Sequence, residues 1–163
     1  MEVRPLESAD WPAVWRFLEP VLQAGDTYGV APDIDAIAAW HYWVATPTAS
    51  YVAATADGAL VGTYYLRPNA GGPGAHVCNC GYVVASTARG QGVAARMCEH
   101  SQAEARRLGF RAMQYNLVAA TNTAAVRLWQ RQGFHIAGTL PGAFAHPEHG
   151  PVDAYVMYKS LAV

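Results

Sequence analysis

The stretch Arg89-Gly90-Gln91-Gly92-Val93-Ala94 decides how this chain folds. It follows an apolar run over 77–84 and opens a segment whose apolar residues recur at helical spacing as far as Leu108. This order predicts a strand, a glycine-bearing turn and a helix. Glycine lets a backbone approach an anion closely, and the unpaired N–H groups of a helix's first turn point at it. The loop is therefore a candidate site for a phosphate group.

Length and composition are those of an apolar globular protein. The chain has 163 residues, enough for one domain with a sizeable core, and 52% of them are hydrophobic. A net charge of −1 gives no electrostatic reason for a nucleic-acid or membrane partner, and no apolar run approaches the ~20 residues of a membrane span. Because the first residues lack the apolar core of a signal peptide, we expect a cytoplasmic protein with one domain over 1–163.

No metal site is expected from the pattern of possible ligands. The odd number of cysteines, at Cys78, Cys80 and Cys98, argues against a disulfide framework, and nothing completes a zinc site at the usual spacing. We expect buried thiols that pack as small apolar residues. His146, Glu148 and His149 are close in sequence, but a loop that contains Pro147 does not set them on one face.

The remaining elements follow from apolar periodicity and turn residues, and they predict an α/β domain with a mixed central sheet. Asp10 should cap a first helix that Pro20 bends or ends, and Pro32-Asp33 should start a second helix running to about Ala45. A later helix should run from the Asn122 cap to about Gln132. Strands are predicted at 2–6, 50–56, 59–66, 77–84, 112–118, 134–140 and 152–159, with the last two separated by a loop over 141–151.

Several ligands, or none, are compatible with the glycine loop taken alone. It could be an ordinary strand-to-helix turn, since such short patterns arise by chance. It also fits the G-x-G-x-x-A pattern of dinucleotide sites, but that fold expects an acidic residue about 20 positions later, and residues 110–118 contain none. A Walker phosphate loop is excluded because no Gly-Lys-Ser/Thr follows.

Two motifs together resemble the GNAT superfamily of acyl-CoA N-acyltransferases. Residues 89–94 carry the Arg-x-x-Gly-x-Ala pattern of that family's pyrophosphate loop. Residues 122–134 are similar to its Asn-x-x-Ala-x-x-Leu-Tyr-x-x-x-Gly-Phe helix, and the helix–helix–hairpin arrangement before them also fits. The resemblance implies a GNAT fold, in which a mixed, mostly antiparallel central sheet is flanked by helices and splayed between strands 77–84 and 112–118.

The resemblance also implies where acetyl-CoA is held. In this family it lies between the two splayed strands, and backbone groups of Tyr82, Val83 and Val84 would pair with the pantetheine arm like an added strand. Asn122 would contact the pantetheine or phosphate end as well as cap its helix. The pyrophosphate would be held by backbone N–H groups of Arg89, Gly90, Gln91, Gly92, Val93, Ala94 and Ala95.

The implied reaction is acetyl transfer from acetyl-CoA to an amine by direct attack through a tetrahedral intermediate. It needs a neutral amine, a polarised carbonyl and protonation of the leaving thiolate. The chain departs from the family pattern in two places. The tyrosine often proposed as the thiolate's acid is Trp129 here, and the glutamate base that many relatives carry on the central strand is absent from 77–84. The sequence thus identifies neither the base nor the acid.

A narrower resemblance, to the branch with the yeast proline-analogue (azetidine-2-carboxylate) N-acetyltransferase, indicates other catalytic residues. Two asparagines on the splayed strands are implicated in catalysis there, and they match Asn79 and Asn116. An amide takes up no proton near neutral pH, so these residues would orient the substrate and polarise a carbonyl. The alternative is that both satisfy backbone groups where the sheet divides. The shared residues are Cys78–Tyr82, Asn116, Leu128-Trp129, Gly138–Pro141 and Gly150–Asp153.

The acceptor is the least defined part of the interpretation. The family's architecture places it against the first two helices and the late hairpin, where Tyr28, Trp40, Phe144 and His146 are candidates. The resemblance implies a small-molecule or amino-acid amine, including proline analogues, and a homodimer is a family-level expectation. The alternatives are a protein or peptide amine, or a sensor domain that binds acyl-CoA without turnover.

Overall fold

A single seven-stranded sheet runs through the computed structural model, which describes residues 1–162. Its strand order is β1-β2-β3-β4-β5-β7-β6, and every neighbouring pair is antiparallel except β4 and β5. This mixed sheet confirms the predicted fold class. The strands are β1 (Glu2–Pro5), β2 (Ala49–Ala54), β3 (Leu60–Pro68), β4 (Val77–Val84), β5 (Ala112–Ala119), β6 (His135–His146) and β7 (Gly150–Ser160).

Helices cover both faces of the sheet. They are α1 (Trp11–Ala24), α2 (Ala36–Trp40), α3 (Val93–Arg107) and α4 (Thr123–Arg131), and a π-helical turn over His41–Ala45 extends α2. On one face α1 and α2 bury Val14, Leu18, Leu22, Ala39 and Trp43 against the sheet. On the other face α3 and α4 bury a second cluster that includes Met97, Cys98, Ala105 and Trp129. All three cysteines are buried free thiols, as expected.

The sheet opens between β4 and β5. These strands pair in parallel only at Val77 with Ala112 and at Cys78 with Met113. Beyond this point β4 stays paired with β3 as far as Val84, whereas β5 follows β7 through a bulge after Tyr115. The predicted splay is therefore present.

The open edge of β4 exposes alternate backbone groups. The Ala85 N–H donates to the Val61 carbonyl of β3 at 2.9 Å. Because backbone polar groups alternate in direction along a strand, those of Val83 also face β3 and those of Tyr82 and Val84 face the opening. The polar backbone groups of Val83, which the sequence assigned to the cofactor with its neighbours, are therefore not at the opening.

Several predicted boundaries were wrong. Of the two effects expected of Pro20, a bend or an end of α1, the end is not found: the helix continues to Ala24, with Leu18 and Leu22 buried on either side of the proline. The second helix starts at Ala36, where the Asp35 carboxylate accepts N–H groups of the first turn. The loop expected over 141–151 is mostly strand, since β6 and β7 pair on both sides of a bulge between Leu140 and Phe144.

Of the helices between Met1 and Ala162, none combines the length and the apolar character that crossing a lipid bilayer requires.

Asp10 precedes α1 but does not cap it through its side chain. Its carboxylate instead accepts two hydrogen bonds from the Arg4 guanidinium, at 2.7 and 2.8 Å, which ties β1 to the start of α1. The hydrogen bond from Arg4 is the main cause of a lowered pKa of Asp10, and partial burial opposes it. A lowered folded-state pKa means that this stabilisation is present above the unfolded pKa and is lost as the pH falls through the folded one.

We predict that Asp10→Asn lowers the free energy of unfolding by about 1 kcal/mol at pH 7, and that the difference shrinks as the pH falls below the ordinary aspartate pKa of about 3.9. Urea unfolding at pH 7 and at a pH below that value measures it. Asp33→Asn, at an exposed position, is the matched control. An equal difference at both pH values would contradict the assignment.

Candidate active site

The glycine loop forms the start of α3 in a conformation that other residues rarely adopt. Gly90 and Gly92 have φ of 75° and 77°, and Gly92 is the N-cap residue of α3. A Cβ atom at either position would meet nothing within 4 Å, so the space beside both glycines is open. The first N–H groups of α3 have no carbonyl behind them in the helix. This loop therefore offers backbone donors and room for a phosphate group.

A cleft of about 820 Å³ lies beside the open edge of β4. Arg89 of the glycine loop and residues 82–84 line it, as do residues of α1 and of the segment that joins β6 to β7. His146 is the last residue of β6, with its ring centroid 4.5 Å from that of His149 and its Nδ1 accepting the Glu148 N–H at 3.2 Å. The structure thus places His146 beside the large cleft.

A second cleft of about 310 Å³ meets the first one at the opening of the sheet. Three residues, Thr27, Tyr82 and Asn122, line both clefts. The Asn122 Oδ1 accepts the Ala125 N–H at 3.2 Å, so this side chain caps α4 where the clefts meet. After the roles that the resemblance implies, we call the larger cavity the cofactor cleft and the smaller one the acceptor cleft.

Asn79 and Asn116 both line the acceptor cleft. Asn79 bridges the point where the strands part, since its Nδ2 donates to the Gln114 carbonyl of β5 at 3.0 Å and its Oδ1 accepts from the Tyr65 hydroxyl at 3.2 Å. Asn116 is exposed, and its amide contacts the Gln114 and Asn69 side chains at 2.9 and 2.7 Å. Gln114 links the two asparagines, one through its carbonyl and the other through its side chain.

Sequence reasoning missed an arginine and two tyrosines in the same cleft. Arg67 Nη2 donates to the hydroxyls of Tyr65 and Tyr42, at 3.1 and 3.3 Å. Its guanidinium carbon lies 4.6 and 4.8 Å from the two ring centroids. Strand alternation puts Tyr65 and Arg67 on one face of β3, a signal that could have found the pair. Tyr42 lies between Trp40 and Trp43 in an aromatic segment of the predicted second helix, and its position gave no such signal.

The acceptor cleft has few ionisable side chains. Among residues 1–162, those that line it include neither a carboxylate nor an imidazole, and Arg67 is the one charged side chain. Burial raises the pKa of Tyr28 and Tyr65 above the usual phenol value, so both stay protonated near neutral pH. The Tyr28 hydroxyl donates to the Tyr82 carbonyl at 2.8 Å, which fixes it at the opening.

Trp129 stands where the family has a tyrosine, and it is packed between other aromatic rings. Its ring centroid is 4.9 Å from that of Tyr82 and 5.1 Å from that of Tyr115. The hydroxyls of these two tyrosines contact each other at 3.1 Å, and that of Tyr82 also contacts Ser101 in the core. Burial raises the pKa of both phenols.

The structure does not bring every predicted site residue to the clefts. Trp40 packs edge-on against Trp11, with centroids 5.3 Å apart, and lines neither cleft. Phe144 is buried with Ala119 and Ala154 beneath the surface. Trp40 therefore packs against α1, and Phe144 packs against residues of β5 and β7. Tyr28 is the predicted acceptor residue that does line the acceptor cleft.

Known proteins share the whole of this architecture. Residues 4–134 match the model of the acetyltransferase (GNAT) family. The N-acetyltransferase aca1 of Schizosaccharomyces pombe is 38% identical over 98 residues, which are 60% of this chain and 47% of that protein. The chain thus spans about half the length of the curated relative it matches.

Solved structures agree along the full length. A GCN5-related N-acetyltransferase from Kribbella flavida is 44% identical, with a TM-score of 0.92 over 98% of this chain and 96% of that one. A phosphinothricin acetyltransferase from Sinorhizobium meliloti, solved in complex with AcCoA, is 20% identical, with a TM-score of 0.84 over 99% and 88% of the two chains. The second likeness is one of fold alone.

Gly81 stands opposite Tyr65 in the β3–β4 register. Because Gly81 has no side chain, the Tyr65 ring can lie against its Cα. A Cβ atom at Gly81 would lie 2.7 Å from Tyr65 Cε1, and the ring is only 2% exposed. We predict that Gly81→Ala lowers the free energy of unfolding by about 1–3 kcal/mol, the usual cost of overpacking. Urea unfolding measures it.

Gly71→Ala is the matched control, since Gly71 has φ of −85° and an added Cβ would meet nothing within 4 Å. We expect a change within about 0.5 kcal/mol there. Equal effects of the two substitutions would contradict the proposed fit of Gly81 to Tyr65.

Proposed function

The chain belongs to the acetyltransferase (GNAT) family, and we propose that its acceptor is the amine of a small molecule or amino acid, including proline analogues. Acetyl-CoA supplies the acetyl group as a thioester. The observation that carries the proposal is the meeting of two clefts at the open edge of β4. Arg89, at the start of the glycine loop, lines one cleft, and amide and phenol groups line the other. An acceptor cleft of about 310 Å³ suits a small molecule.

On the cofactor side, the contacts are mainly backbone groups. Residues 89–95 would hold the pyrophosphate, and the glycine conformations with open space beside them support that role. The Val84 backbone faces the opening and would pair with the pantetheine arm. The Tyr82 carbonyl already accepts from Tyr28 but has a second lone pair, so both contacts can coexist. Asn122 would contact the arm where the clefts meet.

On the acceptor side, Asn79 and Asn116 would position the amine and polarise the acetyl carbonyl. Asn79 has a second amide hydrogen beyond the one that Gln114 accepts. Asn116 is bonded to polar partners at the surface, so a ligand can replace them at low cost. The acceptor nitrogen would bond to the acetyl carbon while the carbonyl oxygen takes up negative charge, and the carbon–sulfur bond would break as the carbonyl re-forms and the thiolate leaves. The proton lost by nitrogen balances the one gained by sulfur.

The amine must reach this site in its neutral form. The described residues that line the acceptor cleft include no carboxylate or imidazole to take its proton, and burial raises the pKa of Tyr28 and Tyr65 so that both phenols stay protonated. Water at the open end of the cleft would receive that proton. Activity therefore depends on the fraction of neutral acceptor.

We predict that Asn79→Ala and Asn116→Ala each lower kcat roughly tenfold to a hundredfold, because each removes a donor aimed at developing charge. Thiol release from acetyl-CoA measures kcat, and acetyl-CoA affinity should stay unchanged. Asn69→Ala is the matched control, because Asn69 contacts Asn116 yet lines neither cleft. Near-normal turnover in both folded variants would overturn the catalytic role and favour a purely structural one.

The broader proposal is tested by thiol release across amino acids, proline analogues, polyamines and peptides. Turnover with small amines supports it. Preference for peptides would favour a protein acetyltransferase. Binding of acetyl-CoA with no acceptor in the whole panel would favour a sensor domain.

A further inference from the structure

We infer that the acceptor carries a carboxylate, as a free amino acid does, and that Arg67 selects it. This inference rests on the proposed function, because it assumes that the smaller cleft receives the acceptor. It goes further because it specifies a negative charge on the acceptor and the residue that binds it.

Arg67 lies beside the proposed catalytic amide. In the β3–β4 register its Cα stands opposite that of Asn79, so the two side chains share one face of the sheet. Both line the acceptor cleft. The Tyr65 hydroxyl joins them, since it accepts from Arg67 Nη2 at 3.1 Å and donates to Asn79 Oδ1 at 3.2 Å.

The guanidinium is held rigidly while most of its donors remain available. The rings of Tyr42 and Tyr65 pack against it, and both protein hydrogen bonds use Nη2. Within residues 1–162, no group accepts a hydrogen bond from its Nε or Nη1. A guanidinium offers paired, coplanar donors that match the two oxygens of a carboxylate. The side chain is therefore preorganised for that ligand.

The charge of Arg67 also lacks a partner in the part of the chain that the structure describes. The ion pairs there are Arg4 with Asp10 and Arg107 with Glu104. A half-buried cation facing a cleft without acidic groups attracts an anion and repels a second cation. The cleft thus favours an amine that bears a carboxylate over a diamine or polyamine.

The spacing suits an amino acid. The amine and carboxylate of an α-amino acid are attached to the same carbon atom, and a single tyrosine hydroxyl separates Arg67 from Asn79. A carboxylate bound by Arg67 would leave the amine beside Asn79, where the acetyl transfer is proposed to occur. Arg67 would then be a specificity-determining residue that also orients the nucleophile.

The test compares amino acids with their carboxamides as acceptors for the wild type and for Arg67→Gln. The carboxamide keeps the amine and the shape but loses the negative charge. We expect Arg67→Gln to raise KM for the amino acid roughly tenfold to a hundredfold, the loss expected for a charge-assisted hydrogen bond, with little change for the carboxamide. The preference is measured as a ratio of kcat/KM values, and comparing this ratio between enzymes cancels the differing reactivity of the two amines.

Arg67→Lys should keep part of the preference for the amino acid over its carboxamide. It retains the positive charge but loses the paired, coplanar donors of the guanidinium. Arg111→Gln, at an exposed position outside both clefts, is the control. An equal loss for amino acid and carboxamide, which leaves the ratio of their kcat/KM values the same in Arg67→Gln as in the wild type, would mean that Arg67 is structural and would overturn the inference. This result would leave the proposed acetyl transfer intact. Turnover of no acceptor of either kind would overturn the proposed function itself.

Discussion

The structure depends on one incomplete strand pairing. β4 and β5 pair at two positions and then separate, so backbone groups of β4 that would normally bond to a neighbouring strand face a gap instead. Buried backbone groups need partners, and here an extended ligand arm can supply them. The two clefts meet at this gap. The Asn79 side chain spans its closed end, which keeps the separation at a fixed place.

Local patterns predicted the elements around the glycine loop well. The glycine loop, the Asn122 cap and the apolar strand over 77–84 each depend on a few neighbouring residues, and the structure has all three. Element ends were harder to predict because packing decided them. Burial of Leu18 and Leu22 carries α1 past Pro20, and pairing with β7 turns a proline-bearing segment into strand. Neither effect can be read from a short window of sequence.

The acceptor side was predicted only in part. Asn79, Asn116 and Tyr28 were expected there, but the contacts that bring Arg67 and Tyr42 to them depend on the sheet register and on packing. Arg67 and Asn79 are cross-strand neighbours, and Tyr42 arrives from a π-helical turn. Gly81 is part of this arrangement, since its missing side chain admits the Tyr65 ring that connects Arg67 to Asn79. From the sequence pattern alone, the aromatic candidates Trp40 and Phe144 could be core residues or site residues. In the structure they pack against other side chains and not in the clefts.

The most direct test of the central claim is the hydrogen exchange of single backbone amides, followed by NMR with and without coenzyme A. We predict that coenzyme A slows exchange of the Val84 amide, which faces the opening, and leaves that of Val83, which faces β3, unchanged. Chemical-shift changes in residues 89–95 would report binding independently. Saturated binding with no added protection at Val84 would contradict the claim that the gap in the sheet holds the ligand.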